Sequence, residues 1–92
     1  MDGTIHHDPE AGRFSLASED GEAHLDYVLR DATTMETVST WTPPAARGRG
    51  LAARLARAAL DHARAEGLSV VPTCWYVAGW IERHPDYADL LA

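Results

Sequence analysis

Arg47, Gly48, Arg49 and Gly50 stand together near the middle of the chain, and Arg54 and Arg57 follow shortly after. Guanidinium groups set among glycines suit one chemistry above others, the recognition of phosphate or pyrophosphate. Arginine gives charge-assisted hydrogen bonds in a fork that matches phosphate oxygens. Glycine lets a ligand approach the backbone without meeting a Cβ. If a helix opens here, its first N–H groups lack intrahelical acceptors and carry a partial positive charge, which completes an anion site. The plainer alternative is that the glycines shape a turn and the arginines solvate it.

The charge around this stretch favours a small ligand. The 92 residues carry a formal net charge of -6 and no lysine. Five of the 8 basic residues lie between Arg47 and Arg64, opposed nearby only by Asp61 and Glu66. A local positive patch on an acidic chain suits a small polyanion and argues against nucleic acid as a partner. The length bounds one domain, and 46% hydrophobic with 24% charged residues is a globular composition. No apolar run approaches the roughly 20 residues needed to cross a bilayer, so no membrane partner is expected. The start, MDGTIHHDPE, lacks the basic and apolar regions of a secretory signal. A lone cysteine, Cys74, excludes an internal disulfide and fits a reducing cytoplasm. No Cys/His spacing matches a zinc site, so no metal is expected.

The elements that must position these residues follow from the hydrophobic pattern. Thr4 to His7 reads as a short strand, ended by Asp8-Pro9 and Gly12. Arg13 to Ala17 alternates, with Phe14 and Leu16 on one face. Asp20-Gly21 is a hairpin turn signal, and Leu25, Tyr27 and Leu29 alternate in a third strand. Met35 to Thr42 is a fourth, stopped by Pro43-Pro44. The main helix runs from Arg47 or Gly48 to Glu66, with Leu51, Ala52, Leu55, Ala59, Leu60 and Ala63 as its apolar stripe. On its exposed face Arg57 and Asp61, and Asp61 and Arg64, have the spacing of ion pairs. Leu68 to Val71 is a fifth strand, Val77 to Arg83 a second helix, and Asp86 to Leu91 a last helical turn. The order is four strands, helix, strand, helix: an α+β sheet with helices packed on it.

Known phosphate cradles can be compared with this pattern. GxxxxGK[ST] is absent. Gly48-Arg49-Gly50 lacks the third glycine of a dinucleotide fingerprint, and no ribose-binding acid stands where that motif needs one. Arg47-x-x-Gly50-x-Ala52, after a strand and opening a helix, resembles the coenzyme A pyrophosphate motif R/Q-x-x-G-x-G/A of the GCN5-related N-acetyltransferase superfamily. The resemblance extends to its small single-domain branch, the YjdJ-type acetyltransferases. Asp20-Gly21-Glu22 resembles their D-G-E turn, and Arg47 to Ala52 their R-G-x-G-x-A helix start. Pro72-Thr73-Cys74 resembles their P-x-C, and His84-Pro85-Asp86-Tyr87-Ala88-Asp89-Leu90 their closing H-P-x-Y-x-x-L. Together these span Ile5 to Leu91. One position departs: the branch commonly carries His-Thr shortly before the Pro-Pro region, and here the stretch reads Ser39-Thr40-Trp41-Thr42. Ser39 cannot position or deprotonate an acceptor as an imidazole does.

The resemblance implies a compact GCN5-related acyltransferase fold, mostly antiparallel, whose fourth and fifth strands splay apart. It implies acetyl-coenzyme A as donor and an amine, small or protein-borne, as acceptor. Arg47, Gly48, Arg49, Gly50, Leu51 and Ala52 would hold the pyrophosphate. Val38, Ser39, Thr40, Trp41 and Thr42 would offer strand-edge hydrogen bonds to pantetheine, with Tyr76 beside the coenzyme. Cys74 would lie near the acetyl group at a helix start that favours its thiolate. It could then take the acetyl group covalently, line the pocket, or be a buried structural thiol. Tyr76 and Tyr87 fit an acid toward the leaving thiolate or, more simply, packing with a bonded hydroxyl. Trp41, Trp75 and Trp80 read as core or pocket wall. His6 and His7 point to opposite faces of a strand and read as solvated, as does His62 on the main helix; His84 marks a helix end. A second function class is a non-catalytic acyl-coenzyme A binding or sensing module, and a third, a nucleic-acid binder, is opposed by the acidic total.

Overall fold

The computed structural model describes residues 3–92. Period-2 alternation drives the first half. Phe14 and Leu16, then Ala23, Leu25 and Tyr27, then Met35 and Thr37 are buried on one face of three successive strands. The strands are β1 (Ile5–Asp8), β2 (Arg13–Ser18), β3 (Gly21–Asp31), β4 (Thr34–Trp41) and β5 (Ser69–Pro72), in that spatial order. β1 to β4 pair antiparallel, and β5 joins β4 in parallel. The β2–β3 turn differs by one residue from the expectation. Ser18 pairs with Gly21, so Glu19 and Asp20 form the loop and Gly21 opens β3.

Leu51, Leu55, Ala56, Ala59, Leu60 and Ala63 make the buried stripe of α1 (Leu51–Ala65), which lies on the apolar face of the sheet. Its alanines let the helix approach closely. A second helix, α2 (Trp75–Arg83), buries Val77, Trp80 and Ile81 beside it, and a 3₁₀ segment (Pro85–Leu90) closes the core with Tyr87 and Leu90. The result is the α+β fold that the sequence pattern implied. The opposite sheet face carries the alternate, half-exposed set that includes Arg13, His24 and Asp26.

The start of α1 corrects the sequence reading. The helix begins at Leu51, not at Arg47 or Gly48. Gly48 and Gly50 have φ of 85° and 78°, which an α-helix cannot contain, and a 3₁₀ turn (Pro44–Ala46) precedes them. α2 begins two residues earlier than expected, at Trp75, directly after Cys74.

Two irregularities open the sheet near its edge. Asp26 pairs with Ser39 but Tyr27 pairs with Thr37, so Val38 is an extra residue, a β-bulge in β4. On the other side of β4 the parallel register ends at Thr37–Pro72. The Cys74 N–H closes that seam on the Thr37 carbonyl at 2.9 Å. β5 thus leaves β4 at the bulge, and Val38–Trp41 continue with no β5 partner.

Candidate functional site

The helix entrance leaves its backbone donors uncapped. No side chain caps α1, and its first turn holds no acidic residue. The first intrahelical bond runs from the Arg54 N–H to the Gly50 carbonyl at 3.1 Å. The N–H groups of Leu51, Ala52 and Ala53 therefore have no acceptor within the helix. A Cβ added at Gly48 or Gly50 would meet nothing within 4 Å. The positive φ, rather than crowding, requires glycine at both positions.

A cavity of about 510 Å³ faces this entrance. Thr40, Trp41 and Thr42 from the free end of β4 form one wall, and Trp75 and Tyr76 from α2 form another. Arg47, Gly48, Gly50, Leu51 and Ala52 form the third. Arg47 is held over the opening: its Nε donates to the Thr42 carbonyl at 3.0 Å, and its guanidinium stands 5.2 Å from the Trp41 ring. No carboxylate or imidazole lines the cavity. A pyrophosphate placed there meets no like charge, so the residues fit the group that the motif implies. Burial raises the Tyr76 phenol above its ordinary range, so it stays protonated at neutral pH.

Nine of the residues singled out in the sequence meet at this cavity, and four do not. Arg49 turns to the β2–β3 loop and pairs with Asp20 at 3.0 Å. Val38 and Ser39 sit on the bulge, exposed. Cys74 is 6 % exposed, with its sulfur 3.8 Å from the Thr40 hydroxyl. It lies at the seam where the strands part, behind the cavity wall. A thiol so enclosed is not the open, fast-reacting group expected of that helix start.

Ser39 pairs with Asp26 across the β3–β4 register. Two hydrogen bonds from Arg13, at 2.7 and 3.1 Å, hold the Asp26 carboxyl below the usual carboxylate range. His24 Nδ1 stands 3.5 Å from the same carboxylate and is buried without a hydrogen bond.

Several expectations about the remaining groups change. Arg57 and Asp61 do not pair with each other: both bond the Tyr87 hydroxyl, at 3.2 and 2.7 Å. Arg64 pairs with Asp89 instead of Asp61. The 3₁₀ segment packs against this face of α1 and supplies better-placed partners. Tyr87 is thus a packed tyrosine with a bonded hydroxyl. His7 and His62 are half-buried and packed together: their rings are 4.5 Å apart, and His7 stacks on Phe14 at 4.0 Å. Trp80 is core, but Trp75 is 84% exposed. Trp75, read as core or pocket wall, is wall, and Ala46 and Ala53 line the cavity without having been assigned to it.

One small sheet thus carries an uncapped glycine entrance with a splayed strand edge beside it. Comparison with known proteins places it further. A sequence profile described as GCN5-related N-acetyl-transferase matches residues 13–90. The chain is 34% identical to protein NATD1 of Xenopus tropicalis over 83 residues, covering 88% of this chain and 76% of that one. Against protein NATD1 of Danio rerio it is 34% identical over 89 residues, covering 92% and 81%. A 46-residue stretch is 46% identical to the Homo sapiens NATD1, covering 50% of this chain and 41% of that one. The solution structure of a GCN5-like protein from Staphylococcus aureus superposes with a TM-score of 0.72 at 19% identity, over 97% of this chain and 87% of that one. The chain belongs to the GCN5-related N-acetyltransferase family. No helix among the described residues is long and apolar enough to cross a membrane.

Proposed function

We propose that the protein binds acetyl-coenzyme A at the start of α1 and transfers the acetyl group to an amine. One observation carries this reading: an uncapped helix start, opened by two positive-φ glycines, faces a cavity that runs to the unpaired edge of β4. The pyrophosphate accepts hydrogen bonds from the N–H groups of Leu51 and Ala52, and Arg47 adds charge. The backbone of Val38–Trp41 binds the pantetheine amides. The acceptor nitrogen attacks the thioester carbonyl, the C–N bond forms, the C–S bond breaks, and the proton shed by the nitrogen passes to solvent water, which also reprotonates Tyr76 after its transfer. Backbone N–H groups at the strand edge stabilise the oxyanion between those events. Tyr76 is the acid for the departing thiolate, because the Tyr87 hydroxyl is committed to Asp61. Cys74 is a buried thiol behind the cavity wall rather than a relay. The reduced lone thiol and the nucleotide donor suit a cytoplasmic protein.

A second reading, a non-catalytic acyl-coenzyme A binding module, draws on the absence of carboxylate and imidazole from the cavity wall. Calorimetry with acetyl-coenzyme A, followed by a thiol assay with an amine panel, tests both. Binding with amine-dependent release of coenzyme A is the expected result. Binding without release selects the module, and no binding overturns both.

A further inference from the structure

The sheet face away from the helices carries a titratable group that the reading above leaves unused. Register sets its side chains in rows across the strands. His6, Ser15, His24 and Trp41 form one row, and Asp8, Arg13, Asp26 and Ser39 form the next. Trp41 links this face to the entrance cavity: it faces His24 across β3–β4 and also lines that cavity. The β4–β5 register ends at Thr37–Pro72, so Ser39 and Trp41 have no β5 residue beyond them. An acceptor amine can therefore reach the gap from this face while the coenzyme occupies the helix side.

His24 is held as a proton acceptor needs to be held. Its Nδ1 is buried without a hydrogen bond, 3.5 Å from Asp26 Oδ2. Arg13 fixes that carboxylate with two bonds, from Nε at 2.7 Å and from a terminal nitrogen at 3.1 Å. The side chain keeps 21% exposure, and since Nδ1 is buried, that exposure belongs to the part of the ring that carries Nε2. A buried nitrogen without a partner is costly. A proton on the ring removes that cost, because an imidazolium donates from both nitrogens and Nδ1 then has Asp26 to meet. Catalytic contacts of this length tighten in the reacting complex. We propose that His24 accepts, through one water, the proton that the acceptor nitrogen sheds, with Asp26 and Arg13 as the pair that orients the ring. The inference rests on the acetyl-transfer reading and adds to it a proton acceptor and a side of approach. As the C–N bond forms, the nitrogen gives one proton to the water, and the water gives one to Nε2. His24 then returns it to solvent, from which Tyr76 regains the proton it gave to the thiolate.

Steady-state release of coenzyme A from acetyl-coenzyme A tests this on the whole chain, with spermidine, phenylethylamine and a lysine peptide as acceptors. His24→Phe keeps a ring in the row and has no nitrogen to bury. Its kcat is expected to fall about a hundredfold, the scale of acid–base catalysis. KM for acetyl-coenzyme A and calorimetric affinity for coenzyme A should stay within about twofold. Tm should hold or rise, because the unpartnered nitrogen is gone. In His24→Ala, added imidazole should restore part of the lost turnover, and equimolar pyrazole, a weaker base, should restore less. Asp26→Asn should lower kcat about tenfold in the wild type and cost nothing further in His24→Phe, since the two act as one unit. Unchanged kcat in His24→Phe overturns the role of His24 while acetyl transfer still stands. So does a His24→Ala protein that imidazole does not revive, or a loss of turnover matched by a loss of Tm and coenzyme affinity. Additive losses in the double variant overturn the orienting role of Asp26. No release of coenzyme A by the wild type with any of these amines overturns the inference together with the acetyl-transfer reading.

Discussion

The two ends of α1 have similar compositions and opposite fates. Arg47 and Arg49 precede the helix, Arg54 and Arg57 lie in its first two turns, and Arg64 lies in its last. From the second turn to the far end the charges meet fixed partners: Tyr87 ties Arg57 to Asp61, and Asp89 takes Arg64 in a two-pronged bond at 2.8 and 3.0 Å. At the entrance the backbone N–H groups meet nothing, and Arg47 rests on a carbonyl and an indole face without an acid. An arginine count therefore does not locate an anion site. What locates it is the place where polar groups are left without partners. The far end holds the fold, and the near end is available to a ligand.

The sharpest way to break this contrast is at Gly50. Gly50→Glu puts a carboxylate in the open space where the pyrophosphate is proposed to sit. The affinity for coenzyme A should fall about a hundredfold or more, since charge-assisted bonds are replaced by repulsion. Gly50→Ala separates charge from strain. A non-glycine residue at φ 78° costs about 1–2 kcal/mol of stability. It adds only a methyl group, so the affinity should fall much less than for glutamate. Calorimetry with thermal melts reads both. Equal affinity in wild type and Gly50→Glu would place the ligand elsewhere.

The mirror-image change is Tyr87→Phe. It removes the hydroxyl that joins Arg57 to Asp61, and should cost about 1–2 kcal/mol of stability. In a domain of this size that lowers Tm by several degrees. Coenzyme A affinity should change by no more than about twofold, within the error of one weak contact. A large loss of affinity without a loss of stability would erase the distinction between the two ends.

Cys74 sits between these regions, at the seam of β4 and β5. If the acceptor attacks directly, Cys74→Ala and Cys74→Ser should both keep turnover within about threefold. Alanine should cost about 1 kcal/mol of stability for the buried atom removed. Loss of all turnover in both variants, with coenzyme binding intact, would make the thiol an acyl carrier.

The division between legible and illegible features follows the same line. Alternation in Arg13–Ser18 and the stripe from Leu51 to Ala63 are local patterns, and both elements are where the sequence places them, except that Ala56 is buried in the stripe and Ala52 is only half-buried. The Pro-Pro stop and the glycines also announced an entrance, although the helix start was read a turn early. That error came from treating Gly48 and Gly50 as helix, when their positive φ is what holds the chain open. The bulge at Val38 left no mark in composition, because it depends on the register with β3. The partners of Arg57 and Arg64 lie 20 or more residues away in sequence, so i,i+3 and i,i+4 spacing pointed to the wrong ones. Trp75 was read as core or wall on hydrophobicity, which does not tell a rim from an interior.

The smallest expected effect concerns the far end again, through His62. Its ring meets His7 edge-on, and His7 also bonds the Tyr27 hydroxyl and stacks on Phe14. Burial, and then the neighbouring His62, hold the His7 pKa below its ordinary value; Asp8 acts weakly in the other direction. The folded protein therefore resists a proton that the unfolded chain accepts near pH 6.5. The stability that depends on neutral His7 is complete above about pH 6.5 and is lost as pH falls through the folded-state value. Tm should be flat between about pH 8 and 7 and should decline below about 6.5. His7→Phe keeps the stack and has no proton to gain, so it should flatten that decline. Coenzyme A affinity should not follow the same curve, because no histidine or carboxylate lines the entrance cavity. An identical decline in His7→Phe would assign the effect to other groups. A parallel fall in affinity would mean that the two ends of α1 are coupled.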